Sequence, residues 1–472
     1  MIFSIDNRTR RNRSALIDGR GDAAWTYEQL VDEVSKRRDW LGCAPKGLLF
    51  LFCRNDLSSI AWYLGALEGG HAVALLNGQI DGQMASNLIT LYQPEWLAGD
   101  LDCRPEPYTA EDAHGLRCRM RQSGAGEVVE IHPELALLLS TSGSTGSPKF
   151  VRLRRSSVEA NAESIREALS IVESDVPVAH LPMHYSYGLS VINSHLLTGA
   201  SIVLSQEGLV SREFWDTIRR HRVDSFSGVP YTYQMMRRLG LESVNAPTLR
   251  IMTQAGGKLD NGNIAHFHAC MTQRDGSFYV MYGQTEATAR ISVLPSVRLP
   301  EKLGSAGQAI SGGTIRIHDG DGNPLNEPGS EGELVYAGPN VMMGYATRRE
   351  DLAKGDEING RLFTGDRARL DSEGFVYVLG RSKRDAKVFG LRINLDELET
   401  MVKRSGPAAA VGTADHVIIF CEFGDEAVYR EICASLAATL KIHRSAFEFR
   451  RIDSLPTKNT GKVDYESLMA RL

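Results

Sequence analysis

The sequence predicts an α/β protein: a large N-terminal domain of parallel α/β layers that ends in a small β-barrel-like layer, then a small α+β C-terminal domain. Three observations carry this expectation. Up to Val280, apolar runs of strand length alternate with helix-like stretches, the pattern of crossover units around a parallel sheet. Over residues 304–380 the runs shorten and are broken by Gly and Pro, as in a small barrel or sandwich. Over residues 394–472 helix and strand patterns alternate again, in a stretch too short to house a substrate pocket of its own. A chain of 472 residues also exceeds what one core usually supports, so more than one domain is expected.

The elements follow in order. Residues 15–18, 48–53 and 71–76 are strand-like, with helices over 27–41 and 57–68 between them. Residues 104–130 are polar and weakly periodic, so a surface connection is expected there. Residues 135–139 are apolar throughout, as in a strand buried on both faces. Ser156-Ser157-Val158-Glu159 has the capping-box spacing of a helix start, so the stretch of hydroxyls and glycines after that strand is expected to lead directly into a helix. Strands are then expected at 176–181, 200–204, 224–227, 249–253 and 278–280, each followed by a helix-like stretch in the first four cases. The short β runs are 314–318, 333–337 and 375–379. The C-terminal part reads as helices at 396–404 and 426–440 with strands at 416–423 and 447–452.

Composition narrows the function classes. With 42% hydrophobic and 24% charged residues and 45 glycines, this is an ordinary folded chain, not a disordered or collagen-like one. The 53 basic and 58 acidic residues leave a formal charge of −5, which gives no global attraction to nucleic acid or to an anionic membrane. Arg8, Arg10, Arg11 and Arg13 cluster without interleaved aromatics, so they read as a solvated turn and no nucleic-acid partner is expected. The seven cysteines (43, 53, 103, 118, 270, 421 and 433) form no CxxC pair and fit free thiols in a reducing cytoplasm. Residues 1–6 lack the pattern of a signal peptide, and no apolar run approaches the ~18 residues of a membrane span, so a cytoplasmic protein is expected.

The chemistry centres on Ser140-Thr141-Ser142-Gly143-Ser144-Thr145-Gly146-Ser147-Pro148-Lys149. Gly143 and Gly146 let the backbone approach an anion, and the five hydroxyls between Ser140 and Thr145 donate with the backbone N–H groups to phosphate oxygens. Lys149 adds a positive charge. The spacing is not that of a Walker loop, because Ser147-Pro148 separates Gly146 from the lysine. The stretch resembles the phosphate loop of the adenylate-forming superfamily, which comprises acyl-CoA and aryl-CoA synthetases, amino-acid adenylation domains and firefly-type luciferases. Further motifs occur in that family's order as far as Lys462, so the resemblance covers most of the chain.

The resemblance implies roles for particular residues. Thr141, Ser142, Gly143, Ser144, Thr145 and Gly146 would cradle the phosphates of ATP, with Lys149 on the leaving pyrophosphate. In Met281-Tyr282-Gly283-Gln284-Thr285-Glu286, Tyr282 would stack on adenine beside Gly283 and Gln284, Thr285 would meet the α-phosphate, and Glu286 with Thr145 would hold Mg²⁺. Gly256 and Gly257 would cover adenine. Asp366 of Thr364-Gly365-Asp366 would accept hydrogen bonds from both ribose hydroxyls, and Arg381 would add a second ribose contact. The acyl pocket would be lined by His184, Tyr185, Tyr187, Gly188 and Tyr231. Tyr185 occupies the position where the family often has His, with His184 one residue early, so the gating role is split between them. No acid lies between Val176 and Gln206 to pair with a substrate ammonium, which disfavours an α-amino acid.

Residues 381–384 resemble the family's hinge, with Lys383 as pivot between a domain of residues 1–380 and a mobile domain of residues 385–472. Lys387 and Gly390 match the thiol tunnel used in the second half-reaction, and Lys462 matches the catalytic lysine of the first. Asn394 stands where Glu is common in the family. The implied activity is that of an ATP-dependent carboxylate ligase. It forms acyl-AMP and pyrophosphate and passes the acyl group to CoA, or alternatively to the phosphopantetheine arm of an acyl carrier protein. A non-catalytic acyl-nucleotide sensor is the reading from a different class.

Overall fold

The computed structural model describes residues 1–21, 23–42, 45–99, 108–113, 116–121, 129–140, 149–240, 246–381, 385–388, 391–413, 416–440, 442–458 and 462–472. The chain forms two compact units. One comprises Met1–Leu303, Gly307–Thr314 and Ala337–Leu362, the other Gly304–Ala306, Ile315–Tyr336 and Phe363–Leu472.

The first unit is built on three sheets. The largest runs Gly344–Ala346, Phe150–Arg154, Leu135–Ser140, Ala72–Asn77, Leu48–Cys53, Trp96–Ala98, Leu116–Arg121, Tyr108–Ala113. Its four central strands, Leu135–Ser140 to Trp96–Ala98, are parallel. They read as unbroken apolar runs because both faces are covered, and every residue of Leu48–Cys53 is buried. Fully burying each such side chain contributes about 1.5–3 kcal/mol. Helices Tyr27–Leu41 and Leu57–Glu68 span the residues expected from the sequence. The first starts in a reciprocal capping box between Thr26 and Gln29, the second where the Asp56 carboxylate accepts from the Ser59 N–H at 2.7 Å.

Three expectations are corrected. The polar stretch 104–130 contains strands Tyr108–Ala113 and Leu116–Arg121, an antiparallel hairpin on the sheet edge; an edge hairpin need not alternate cleanly, so its period was faint. The phosphate-loop stretch does not run directly into a helix. Strand Phe150–Arg154 follows it and pairs antiparallel with Leu135–Ser140, so residues 141–149 connect a hairpin. Finally, Ser156 is not a cap: helix Arg155–Leu169 has Arg154 at its N-cap with no side-chain cap bond. The neighbouring Ser157 is buried and donates its hydroxyl to the Pro339 carbonyl at 2.8 Å, tying the helix to the next layer instead.

The second sheet has strands Val178–Ala179, Ile202–Leu204, Ser14–Asp18 and Ala24–Thr26. The third runs Ser225–Gly228, Ile251–Gln254, Ser277–Tyr282, Ser292–Leu294, Gln308–Ala309, the first three parallel and the rest antiparallel. Its parallel strands end at Gly228, Gln254 and Tyr282, and the carboxyl ends of such strands are where open α/β sheets bind ligands.

The second unit contains an open five-stranded sheet in the order Pro324–Leu325, Thr314–His318, Glu331–Ala337, Arg361–Leu370, Val376–Arg381; among the described residues it closes into no barrel. It also contains the hairpin Asp385–Val388 with Leu391–Asn394, and a three-stranded sheet Ala408–Gly412, Val417–Cys421, Phe447–Arg451. Helices Leu395–Val402 and Glu426–Leu440 contribute Leu398, Val402 and Leu436 to the core on one side of that sheet. On the other side Leu468 of helix Tyr465–Met469 packs against Val411, Ile418 and Phe420. Among the described residues no helix is long and apolar enough to cross a membrane.

Candidate active site

Strand Ser277–Tyr282 carries Tyr282 to the carboxyl edge of the third sheet, and the chain turns back at once. The Ile291 N–H donates to the Tyr282 carbonyl at 2.9 Å, so residues 283–290 form a closed loop around the short 3₁₀ turn Thr285–Ala287. A Cβ on Gly283 would collide with the Ala289 carbonyl and meet Arg290 Cα at 2.9 Å, which reserves the position for glycine. Gln284 opens the turn, its carbonyl accepting from the Ala287 N–H at 3.0 Å. Thr288 has φ 63°, a conformation costly for a β-branched residue. It is held there by its hydroxyl, which donates to the Asn340 carbonyl at 2.7 Å, and by its N–H on the Thr285 carbonyl at 2.9 Å. Buried Asn340 clamps the loop from behind, donating to the Ala287 and Arg290 carbonyls at 2.8 Å each. The Thr285 hydroxyl, 3.2 Å from that of Ser186, is thereby fixed in place.

Lys149 and Glu286 meet on one ring. The Lys149 ammonium sits over the face of Tyr345, 3.7 Å from its centroid, and the Tyr345 hydroxyl donates to Glu286 Oε1 at 2.8 Å. Strand Gly344–Ala346 places the tyrosine by pairing with Phe150–Arg154, where Tyr345 lies opposite Val151. The other Glu286 oxygen makes no hydrogen bond among the described residues. No group of three metal-ligating side chains occurs among those residues. One carboxylate with a spare oxygen suits Mg²⁺, which takes one or two carboxylates and completes its shell with substrate phosphates and water.

The expected acyl-pocket residues gather at the start of helix Ser186–Thr198. Tyr185 precedes the helix and its ring packs edge-on to Tyr187, centroids 6.3 Å apart. Tyr187 donates to the Thr253 carbonyl at 3.0 Å, within a buried cluster in which the Thr253 hydroxyl lies 2.9 Å from that of Ser227 and the Thr253 carbonyl accepts from Tyr233 at 2.6 Å. A Cβ on Gly188 would meet the Leu181 carbonyl oxygen at 2.5 Å. Gly256, at φ +86°, brings its backbone against Tyr185, whose hydroxyl would lie 2.5 Å from a Cβ there, and Gly257 accepts from buried Gln254 Nε2 at 2.8 Å. The structure therefore joins the Gly256-Gly257 turn to the aromatic wall through Gly256 and Tyr185. Burial pushes the Tyr185 phenol up to about 12 and the His184 imidazole down to about 4, so His184 is neutral near pH 7. Tyr231, on helix Pro230–Arg238, is 49% exposed and lies outside that buried wall.

In the second unit Asp366 and Arg381 stand directly opposite each other across the antiparallel strands Arg361–Leu370 and Val376–Arg381. Asp366 is buried; its N–H donates to the Thr364 hydroxyl at 3.1 Å, and the Gly365 N–H donates to Glu333 Oε1 at 3.0 Å. The backbone of Lys387 pairs with Arg392 in the following hairpin. Lys462 lies in a tight return where the Lys458 N–H donates to its carbonyl at 2.8 Å and Thr457 bridges Val463. Thr141, Ser142, Gly143, Ser144, Thr145 and Gly146, with Lys383, expected as the pivot, and Gly390, expected in the thiol tunnel, lie outside the described residues. Sequence reasoning missed Tyr345, Asn340 and Arg290, which belong to no motif; their only signal is proximity in the fold.

A parallel sheet with a closed Tyr-Gly-x-Thr-Glu loop at its carboxyl edge, a lysine and a glutamate sharing one ring, and an aromatic wall together define an AMP-forming enzyme. The AMP-binding enzyme family matches residues 3–346, and the chain belongs to that family. It is similar to the 2-succinylbenzoate–CoA ligase of Bacillus pumilus, 28% identical over 488 residues that span 95% of this chain and 94% of that one. The Bacillus subtilis ligase of the same name is 34% identical over 295 residues, 61% of this chain and 58% of its own length. A third match, to the Bacillus velezensis ligase, is 34% identical over 54% of this chain and spans about half of that relative, 52%. Among solved structures, o-succinylbenzoate CoA synthetase from Bacillus subtilis in complex with its acyl-adenylate intermediate superposes with a TM-score of 0.78 at 25% identity, covering 98% of this chain and 96% of that one. ATP-bound MatB from Rhodopseudomonas palustris shares the fold, with a TM-score of 0.78 at 19% identity over 100% of this chain and 99% of that one.

Proposed function

We propose that this ligase joins a carboxylic acid to the thiol of CoA through an acyl-adenylate. A carboxylate oxygen of the acid attacks the α-phosphorus of ATP, the bond to the bridging oxygen breaks, and pyrophosphate leaves. The CoA sulfur then attacks the acyl carbon and AMP departs. No side-chain nucleophile is needed, so the chain's work is positioning and charge neutralisation. Lys149, braced on Tyr345, faces the departing phosphates together with the 141–146 loop. The Thr285 hydroxyl donates to the α-phosphate, and Lys462 adds its charge as that phosphorus becomes pentacoordinate. Tyr282, Gly283, Gln284, Gly256 and Gly257 take adenine, while Asp366 and Arg381 take the ribose. Glu286 would hold Mg²⁺, with Thr145 beside it; the ion neutralises phosphate charge when bound.

The acyl group lies against His184, Tyr185, Tyr187 and Gly188, with Tyr231 at the entrance, and an α-amino acid is disfavoured. Lys387 and Gly390 line the thiol path, and Lys383 is the pivot between residues 1–380 and 385–472. Cys53, Cys270, Cys421 and Cys433 are unbridged, which supports a cytoplasmic setting. The observation that carries the reading is the junction of Lys149, Tyr345 and Glu286 beside the loop that holds Thr285. ATP–pyrophosphate exchange across a panel of acids, with and without CoA, tests it. Acid-dependent exchange, and thioester only when CoA is present, is the expected result; AMP binding with no exchange for any acid would leave a sensor instead.

A further inference from the structure

Three arginines of the first unit have fully buried side chains: Arg37, Arg152 and Arg290. Two are neutralised within the fold. Arg37 pairs with Glu33 at 2.6 Å and Arg152 with Glu357 at 2.5 Å. Arg290 differs: among the described residues no carboxylate lies within ion-pair distance, and its Nε has no hydrogen-bond partner. Its guanidinium carbon sits 4.9 Å from the centroid of the Tyr187 ring. The backbone cannot drift away, since the Arg290 carbonyl accepts from Asn161 at 3.1 Å and from Asn340 at 2.8 Å.

A guanidinium held in this way retains five N–H donors in a fixed fork. The face of one tyrosine offsets part of the cost of burying the charge, but it satisfies none of those donors in their own plane. Burial holds the Arg290 pKa below its ordinary value, with Tyr187 and then Tyr185 acting the other way, and the Tyr187 ring of the proposed acyl wall is packed against the cation. Apolar Val229, Ala255, Met281 and Val293 pack in the same cluster as those rings and offer no counter-charge. An anion entering between the rings would complete the fork, bidentate and desolvated.

We propose that Arg290 is a specificity residue that binds a second, non-reacting carboxylate on the acid, so that the preferred substrate is a dicarboxylic acid. This rests on the ligase reading and on the acyl group lying against Tyr185 and Tyr187. One carboxylate goes to the α-phosphorus of ATP; the other supplies the counter-ion that the fold withholds from Arg290.

The test uses the full-length enzyme with 2-succinylbenzoate, malonate and succinate, each beside its monomethyl esters. In ATP–pyrophosphate exchange at least one diacid should exceed its ester by about 10²- to 10⁴-fold in kcat/KM, because a site built for a polar group rejects the analogue lacking it. Arg290→Met should bring that ratio close to one by losing the diacid, and Arg290→Lys should keep an intermediate preference. Without ligand, Arg290→Met should melt at or above the wild-type temperature, since it removes a buried charge with no counter-ion. Esters that exchange as well as diacids would overturn the proposal. So would an Arg290→Met loss that is equal for all acids and tracks the KM of ATP, which would assign the cation to phosphate. A fall in melting temperature with an unchanged diacid ratio would make Arg290 structural. If no acid supports exchange, the ligase reading fails by itself; thermal stabilisation of the wild type by a diacid, absent in Arg290→Met, would then still support the Arg290 site, and its absence would overturn it.

Discussion

At the scale of single residues, Tyr345 does two separable things: its ring supports Lys149 and its hydroxyl orients Glu286. Tyr345→Phe keeps the first and loses the second. A hydrogen bond to a charged group contributes about 1.5–3 kcal/mol, so exchange activity should fall roughly 10-fold or somewhat more. Tyr345→Ala also removes the cation–π contact, about 0.5–2 kcal/mol, and should fall further by about 3- to 30-fold. Equal activity of the two variants in ATP–pyrophosphate exchange would deny the ring any part. Lys462→Ala should cost about 10²- to 10³-fold in adenylation while thioester formation from supplied acyl-AMP stays near wild type, because in the proposed reaction that charge acts only at the phosphorus. A parallel loss in both half-reactions would refute the assignment. Neither Tyr345 nor Arg290 was legible in the sequence. Tyr345 stands 59 residues beyond Glu286 with ordinary neighbours, and Arg290 is one arginine among many until its burial is known. The closed turn that carries Tyr282, Thr285 and Glu286 was legible because backbone closure around Gly283 fixes its spacing.

At the scale of elements, the loop 283–290 stores strain at Thr288 and depends on Asn340 to retain it. Asn340→Ala would remove one of two donors from each of the Ala287 and Arg290 carbonyls, which keep the Ala289 N–H and Asn161 respectively, a loss of about 0.5–1.5 kcal/mol for each hydrogen bond. The expected result is a lower urea midpoint together with a loss of exchange activity larger than that of a core Leu→Ala of equal destabilisation, because the loop carries Thr285. Equal activity at matched stability would mean that the loop keeps its shape unaided. The same element shows where sequence reading succeeds. Apolar strands buried on both faces, such as Leu48–Cys53, declare themselves through composition alone. Phe150–Arg154 and the hairpin of Tyr108–Ala113 with Leu116–Arg121 did not: they pair antiparallel at opposite flanks of the sheet, where charged residues interrupt the pattern. Asp366 and Arg381 were read from spacing only; register pairing explains it, since a hairpin of that length sets them opposite each other.

At the scale of the whole molecule, the first unit buries histidines that pay for their burial by staying neutral. His180, stacked on Phe226 at 4.8 Å, His184 and His195 are all pushed down to about 4 by burial, and His71 is lowered in the same direction. In the unfolded chain a histidine titrates near ~6.5. Each ring therefore takes up a proton on unfolding when the pH lies between the two values. Its contribution to stability is fully present above about pH 6.5 and is lost as the pH falls toward 4. Between pH 7 and pH 5 the loss is at most about 2 kcal/mol for each of the three rings, of which His195 is the most deeply buried. Carboxylates held low, such as Asp351 with its Lys354 and Thr347 bonds outweighing burial, begin to lose their contribution only near pH 5, and Asp224, raised by burial, changes stability in the opposite sense as the pH falls. All five tryptophans, Trp25, Trp40, Trp62, Trp96 and Trp215, belong to the first unit, so indole fluorescence reports its unfolding without contribution from the second. His180→Phe replaces one ring by another between Phe214 and Phe226. Urea unfolding followed by that fluorescence should show the variant within about 1 kcal/mol of wild type at pH 7 and up to about 2 kcal/mol more stable than wild type at pH 5. A variant and wild type that lose stability in parallel from pH 7 to pH 5 would show that His180 accepts a proton inside the fold, and the acid sensitivity of this unit would then have to come from other groups.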